Sequence, residues 1–282
     1  MKVKEALVWA QKQLSNCGIK ESIRESRLIC AHILSCSYGG LLLQQDEELL
    51  PTQEKELGEI VEKRCHQQPL QYILGSQEFM SLDFIVNPAV LIPRWDTERV
   101  TDVANNLLRS VKKPLIADVC CGSGAMGIAL AYYLPQAEVY LCDISNEALA
   151  VCRQNVSKHS LQKRCRIRQG DLLEPLLAEG LKVDLLISNP PYVKDADMET
   201  LPPDVLCEPR LALAGGKDGL DFYHRLIKQA PAVLRPGGYF VLEIGYDQKE
   251  IVQDLLTAAG FTVRQAVRDY GGNNRGLVSV YR

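Results

Sequence analysis

Asp118-Val119-Cys120-Cys121-Gly122-Ser123-Gly124, then Asp143, Asp171 and Asn189-Pro190-Pro191-Tyr192, are the residues of this chain whose types and spacing can do chemistry. Each group follows an apolar run. Gly122 and Gly124 stand where a strand turns into a helix, and glycine there lets a ligand approach the backbone closely. With Gly127 they have the spacing G-x-G-x-x-G, a weak signal alone. Asp143 lies about 20 residues further on, where a carboxylate can hold both hydroxyls of a ribose. Asp171, in Gly170-Asp171-Leu172, can accept from an adenine amino group. Asn189 to Tyr192 offers an amide, two rigid prolines and an aromatic ring, a combination that can grip a planar amino-bearing group. Plainer readings stand beside these: a tight turn, a cap for the Ser145 helix, a cap for the turn after Asp171, and a loop that ends a strand. The convergence of three strand ends on one crevice weighs more than any of them singly.

The elements that must position these residues follow from hydrophobic periodicity. From Pro114 onward strands and helices alternate. Strands are expected at Leu115–Val119, Val139–Cys142, Cys165–Arg168, Val183–Ile187 and Gly238–Ile244, with two more near Phe261–Val267 and Leu277–Tyr281. Helices are expected at Ala125–Leu134, Glu147–Ser157, Leu220–Leu234 and Lys249–Ala259. Such alternation predicts a mainly parallel sheet covered on both faces, which binds ligands at the carboxyl ends of its strands. Residues 1–68 read as a small helical domain, with Ala6, Leu7, Ala10 and Leu14 at helical spacing. Residues 69–93 read as a hairpin linker built on strand-like runs at Tyr72–Leu74 and Phe84–Val86. Residues 94–282 form the α/β domain, opening on a helix that Asp96 or Thr97 can cap.

Composition narrows the class. With 46% hydrophobic and 24% charged residues the chain is an ordinary globular one, and a net charge of -3 argues against binding nucleic acid through bulk charge. The basic run Lys158, Lys163, Arg164, Arg166 and Arg168 reads as a solvated helix end and strand edge. No apolar window suits a signal peptide or a membrane span. The ten cysteines include no C-x-x-C pair, so reduced thiols in a cytoplasmic protein are expected, and no metal.

Taken together, Asp118, Gly122-Ser123-Gly124, Asp143, Asp171 and Asn189-Pro190-Pro191-Tyr192 resemble a class I S-adenosylmethionine-dependent methyltransferase. Three further stretches narrow the resemblance: Pro69-Leu70-Gln71-Tyr72-Ile73-Leu74-Gly75, Leu91-Ile92-Pro93-Arg94 with Asp96-Thr97-Glu98, and Glu208-Pro209 with Leu213–Gly216, Asp218, Gly219 and Leu220. Over nearly its whole length the chain is similar to the peptide chain release factor N(5)-glutamine methyltransferases. That resemblance implies a Rossmann-like seven-stranded methyltransferase sheet and an N-terminal helical domain that helps hold a class 1 release factor. It implies methyl transfer from S-adenosylmethionine, leaving S-adenosylhomocysteine, to the side-chain amide nitrogen of the glutamine in the Gly-Gly-Gln motif. It further implies a cofactor site of Asp118, Cys120, Cys121, Gly122, Ser123, Gly124, Asp143, Asp171, Leu172 and Asn189, and a substrate site of Asn189, Pro190, Pro191 and Tyr192. A monomer acting on protein rather than nucleic acid is expected. The chain departs from the family at Cys120, where a glycine is usual, at Trp95, where proline is usual, and at Leu172, where an aromatic often stacks on adenine.

The chemistry suits these residues. An amide nitrogen is a poor nucleophile, so positioning carries most of the catalysis. The Asn189 side-chain oxygen and the Pro190 carbonyl are each expected to accept one N–H of the substrate amide. Tyr192 is expected to pack on the amide plane. Competing readings are a nucleic-acid adenine methyltransferase, a non-catalytic module that keeps the fold, and a nicotinamide dehydrogenase, the last leaving Asn189–Tyr192 unexplained.

Overall fold

A computed structural model describes residues 1–282. It divides into two compact units: one of residues 1–75 with 202–207, the other of residues 76–201 with 208–282. The first is helical. Helices α1 (Val3–Asn16), α2 (Ser22–Ile33), α3 (Pro51–Cys65) and α4 (Leu70–Leu74) enclose a core of their own. Val3, Ala6, Ala10 and Leu14 of α1 are buried, the stripe that a period of 3.6 demands. Arg64 is buried and holds Glu25 across this unit. Two sequence expectations are corrected here. Tyr72–Leu74 belongs to a single helical turn ended by Gly75 in the left-handed conformation, too short for periodicity to separate from a strand. Cys17 and Cys65 are disulfide-bonded, their Cα atoms 5.4 Å apart, where reduced thiols are expected throughout. The helices bring together two ends 48 residues apart in sequence.

The second unit begins with a hairpin of β1 (Ser76–Phe79) and β2 (Leu82–Ile85). Its turn residues Met80 and Ser81 both have positive φ, the geometry of a two-residue primed turn. The remaining elements are α5 (Trp95–Leu108), β3 (Leu115–Val119), α6 (Ala125–Tyr133), β4 (Glu138–Asp143), α7 (Asn146–Lys158), β5 (Cys165–Gln169), α8 (Glu174–Ala178), β6 (Val183–Ser188), α9 (Arg210–Leu213), α10 (Asp221–Gln229), β7 (Leu234–Glu243), α11 (Lys249–Ala258), β8 (Thr262–Arg268) and β9 (Asn274–Val280). The order is β5-β4-β3-β6-β7-β9-β8, seven strands as expected. The first five of these are parallel, and β9 runs antiparallel to both β7 and β8. Apolar cores cover both faces, which is why Phe240, Val241 and Leu242 are all buried rather than alternating. Helix α5 starts two residues earlier than a cap at Asp96 requires and three earlier than one at Thr97: Arg94 is its N-cap residue, and Thr97 lies buried in the first turn. No helix is long and apolar enough to cross a membrane.

Four residues of the basic run are held by neighbours, and Lys163 is exposed. Lys158 pairs with Asp83, Arg166 with Glu138 and Arg168 with Glu179, while Arg164 donates to the carbonyls of Ala131, Leu134 and Ala137. Strand order reverses between β3 and β6, so the crevice beyond their carboxyl ends is where this fold places a ligand.

Candidate active site

The glycine turn after β3 is held from several sides. Asp118 is fully buried, and its Oδ2 accepts the Gly127 N–H at 2.8 Å. A side chain at Gly127 would overlap both Asp118 and Leu141, so the helix can approach the strand this closely only with glycine. Asp118 Oδ1 has no partner. Burial pushes the Asp118 carboxyl up to about 7, against the opposing pull of the Gly127 N–H and with some help from the negative charge of Asp143. Gly122 and Gly124 have φ of +53° and +82°, and the space beside Gly122 is open. Asn155 of α7, buried and unremarkable in sequence, donates to the Ser123 carbonyl at 3.0 Å and also bonds both backbone groups of Ile85. It ties the glycine turn to the hairpin.

Asp143, at the end of β4, accepts the Gly122 N–H at 2.8 Å and the Ser145 N–H at 2.9 Å. Ser145 itself caps α7 through Ala148, so Asp143 is not the helix cap. Burial raises the Asp143 carboxyl, and these N–H groups offset part of the rise. With two acceptor positions still open it can take two hydroxyls. Asp171 pairs with Arg225 of α10, a partner that the sequence does not announce. Leu172 is buried with φ of +51°, and Phe222, one turn before Arg225, lines the same cavity.

Asp118, Cys120, Cys121, Gly122, Ser123, Asp143, Asp171, Leu172, Asn189 and Pro191 line this one cavity, together with Arg94, Thr97, Phe222 and Arg225. Gly124, Pro190 and Tyr192 do not line it. Ser188 anchors β6 to β3 by donating to the Val119 carbonyl at 2.6 Å, which fixes where Asn189 emerges. Asn189 is half-buried, and no group of the protein bonds its side-chain amide.

The loop of Asn189–Tyr192 is clamped by residues distant in sequence. Gln248 is buried and its amide is fully used. Its Nε2 donates to the Tyr192 and Gly219 carbonyls at 3.1 and 3.2 Å, and its Oε1 accepts from the Gly245 N–H and the Tyr223 hydroxyl. A side chain at Gly215 or Gly219 would overlap the backbone of Tyr192. The Tyr192 phenol is pushed up to about 12, mainly by burial and then by the charge of Glu243, with Arg275 opposing. Glu208, also buried, accepts the Ile92 N–H at 3.0 Å and pairs with Arg94, joining the stretch 91–94 to 208–212 at the mouth of the cavity. The separate motifs singled out in the sequence are thus parts of one scaffold.

S-adenosylmethionine fits these residues. An unpartnered buried carboxylate oxygen on Asp118 suits an ammonium, Asp143 suits a diol, and the open side of Gly122 leaves room between them. Cys120 is the exception. Its φ is +60°, a conformation that costs an L-residue about 1–2 kcal/mol. Burial raises its thiol well above the usual range, which disfavours the thiolate. Cys120→Gly is expected to leave Tm nearly unchanged, because relief of strain is offset by about 0.4–1 kcal/mol of added chain freedom. It is expected to tighten cofactor binding a few-fold by clearing the cavity wall, read by titration calorimetry.

Residues 5–75 match a family profile described as the PrmC N-terminal domain, and residues 97–208 one described as the methyltransferase small domain. The chain is 44% identical to the release factor glutamine methyltransferase of Moorella thermoacetica, over 100% of this chain and 99% of that protein. It is 38% identical to the enzyme of the same name from Geobacter sulfurreducens, over 97% and 94%. Among solved structures, a methyltransferase from Pyrococcus furiosus aligns with a TM-score of 0.52 at 18% identity, over 71% of this chain and 89% of that one, a likeness of fold alone. At full-length identities of this size, with the strand-end carboxylates and Asn189 gathered in one cavity, the chain belongs to the release factor glutamine methyltransferases and is an S-adenosylmethionine-dependent enzyme.

Proposed function

We propose that this protein methylates the side-chain amide nitrogen of the glutamine in the Gly-Gly-Gln motif of class 1 peptide chain release factors, acting as a monomer in the cytoplasm. The observation that carries this reading is Asn189: a half-buried amide with no partner in the protein, opening into the cavity that holds Asp118 and Asp143. When bound, S-adenosylmethionine supplies an electrophilic methyl on a positively charged sulfur. Asp118 would hold its ammonium, Asp143 its ribose hydroxyls, and Asp171, paired with Arg225, its adenine amino group, with Leu172 and Phe222 available beside the base.

Asn189 Oδ1 and the Pro190 carbonyl each accept one N–H of the substrate amide. Two acceptors fix both hydrogens and favour pyramidal character at nitrogen, leaving the lone pair directed at the methyl. Proline at 190 contributes a rigid acceptor with no N–H to compete. Positioning of this kind is worth up to about 7–11 kcal/mol in the best intramolecular cases. Tyr192 shapes the slot by packing beside the amide plane, and Gln248, Gly215 and Gly219 keep the loop from relaxing. The expected product is a release factor carrying one methyl group on its motif glutamine, found by peptide mapping after incubation with S-adenosylmethionine. A methyl group on any other residue, or on duplex DNA or structured RNA instead, would contradict the reading.

A further inference from the structure

Two of the ten cysteines depart from the reduced state expected of a cytoplasmic chain. Cys17 caps the C-terminal end of α1, Cys65 is the last residue of α3, and a disulfide joins them across 48 residues of sequence. Both are half-buried, so the bond lies within reach of a small thiol. The apolar core beneath them, and not the bond alone, brings them together. Leu14, one turn before Cys17, and Val61, one turn before Cys65, are buried in the same cluster. The reduced chain therefore keeps the two sulfurs close, and the bond can form again after it opens. The thiols inside the fold are of another kind. Burial pushes Cys30 up to about 11 and Cys142 and Cys165 up to about 12, which disfavours the reactive thiolate.

We propose that Cys17 and Cys65 are a reversible redox site, a thiol–disulfide couple that locks and releases the ends of α1 and α3. Disulfides are rare in a reducing compartment, and those that form there are mostly transient or redox-sensing. The couple exchanges with a small disulfide of the glutathione class. One chain thiolate attacks that disulfide, a chain–glutathione bond forms, and one glutathione leaves as a thiolate. The second chain thiolate attacks the chain sulfur of the mixed bond and expels the other glutathione. Two electrons pass from the chain to the small disulfide, and the two protons of the chain thiols end on the two glutathione thiols. Reduction runs the same steps backwards. The inference takes from the proposed function only its cytoplasmic setting and nothing of the methyl transfer.

What the bond controls is local. After Cys65 the chain turns through His66, Gln67 and Gln68, with Gln67 at a φ of +64°, an uncommon conformation for a residue other than glycine. Arg64 supports this turn by donating to the Gln68 carbonyl at 3.3 Å while it pairs with Glu25. The exposed Cys207 thiol lies 3.8 Å from the Gln67 carbonyl, so the turn also carries the segment 202–207 of the same unit. With the bond closed, the end of α3 is fixed to α1 and the turn leaves from a fixed point. With it open, the turn rests on Arg64, and the last turn of α3 opens more readily.

The test incubates the full chain with reduced and oxidised glutathione at graded ratios, quenches with acid, alkylates the free thiols and maps the peptides by mass. A linked Cys17–Cys65 peptide pair is expected at oxidising ratios and two alkylated peptides at reducing ones, with the change undone when the ratio is reversed. In the oxidised form, hydrogen exchange is expected to slow around Cys17, Cys65 and Gln67. Its Tm is expected to rise by about 5 °C or more, since the bond closes a long loop of the unfolded chain. Cys17→Ser is expected to melt near reduced wild type and to lose the dependence on the ratio. The peptide mapping is read on wild type, so a variant that folds poorly does not leave the couple unjudged. A pair that never links, a pair that stays linked at every ratio, or a linked form with unchanged exchange and Tm would each overturn the proposal.

Discussion

Asn189→Ala is expected to lower kcat for release factor methylation by about a hundred- to a thousandfold, the usual effect of removing one preorganised hydrogen-bonding group from an active site. Cofactor Kd is expected to change by no more than a few-fold. The separation follows from the geometry. The proposed ribose and ammonium partners, Asp143 and Asp118, are fixed by hydrogen bonds from Gly122, Ser145 and Gly127 rather than from Asn189. The Asn189 side chain has no structural bond to lose, since nothing in the protein engages it. Its backbone position is kept by Ser188 on Val119 and by the Gln248 clamp on Tyr192. Stopped turnover with intact cofactor titration is the signature; equal loss of both would remove Asn189 from the substrate site.

Asp118→Asn is expected to weaken cofactor binding about tenfold to a hundredfold, from the roughly 1.5–3 kcal/mol of a hydrogen bond to a charged group. The Gly127 N–H contact survives in the amide if its oxygen turns toward that donor, so the loss falls on the free oxygen Oδ1, the proposed partner of the ammonium. The same residue predicts a pH dependence. In the free protein the Asp118 carboxyl sits at about 7, raised chiefly by burial. A cationic ligand binds the ionised form, so wild-type affinity is full above pH 7 and declines as pH falls below it and Asp118 takes a proton. The Asn variant carries no such proton and is expected to bind with an affinity that stays level through this window. Calorimetric Kd values over pH 5.5 to 8.5, roughly a unit and a half either side of that midpoint, separate the two behaviours.

Much of the α/β unit is legible because its central strands are buried on both faces and its strands end in residues that apolar runs do not otherwise contain. Asp118, Asp143, Asp171 and Asn189 each stand at such an end, and the structure brings all four to one cavity. What escaped is what acts across long separations. Asn155 reaches the hairpin 70 residues back, and Gln248 reaches Tyr192 56 residues back. Both are polar residues of helices or helix starts, where a solvated face is the ordinary expectation. The pairing of Glu208 with Arg94 is hidden for the same reason, although both stretches stand out in the sequence: charge pairing inside a fold leaves no periodicity. The hairpin turn escaped because Met80-Ser81 adopts positive φ without the glycine or asparagine that marks such turns. Asp171 reads from the sequence as an acceptor or a turn cap, and its pairing with Arg225 joins the loop after β5 to α10, which no local pattern records.

The central claim is that the amide held by Asn189 belongs to a release factor glutamine. The measurement that meets it most directly is methyl incorporation from labelled S-adenosylmethionine into two purified release factors, one natural and one with its motif glutamine changed to alanine. Label in the first alone is the predicted result. Equal label in both, or none in either, would contradict it.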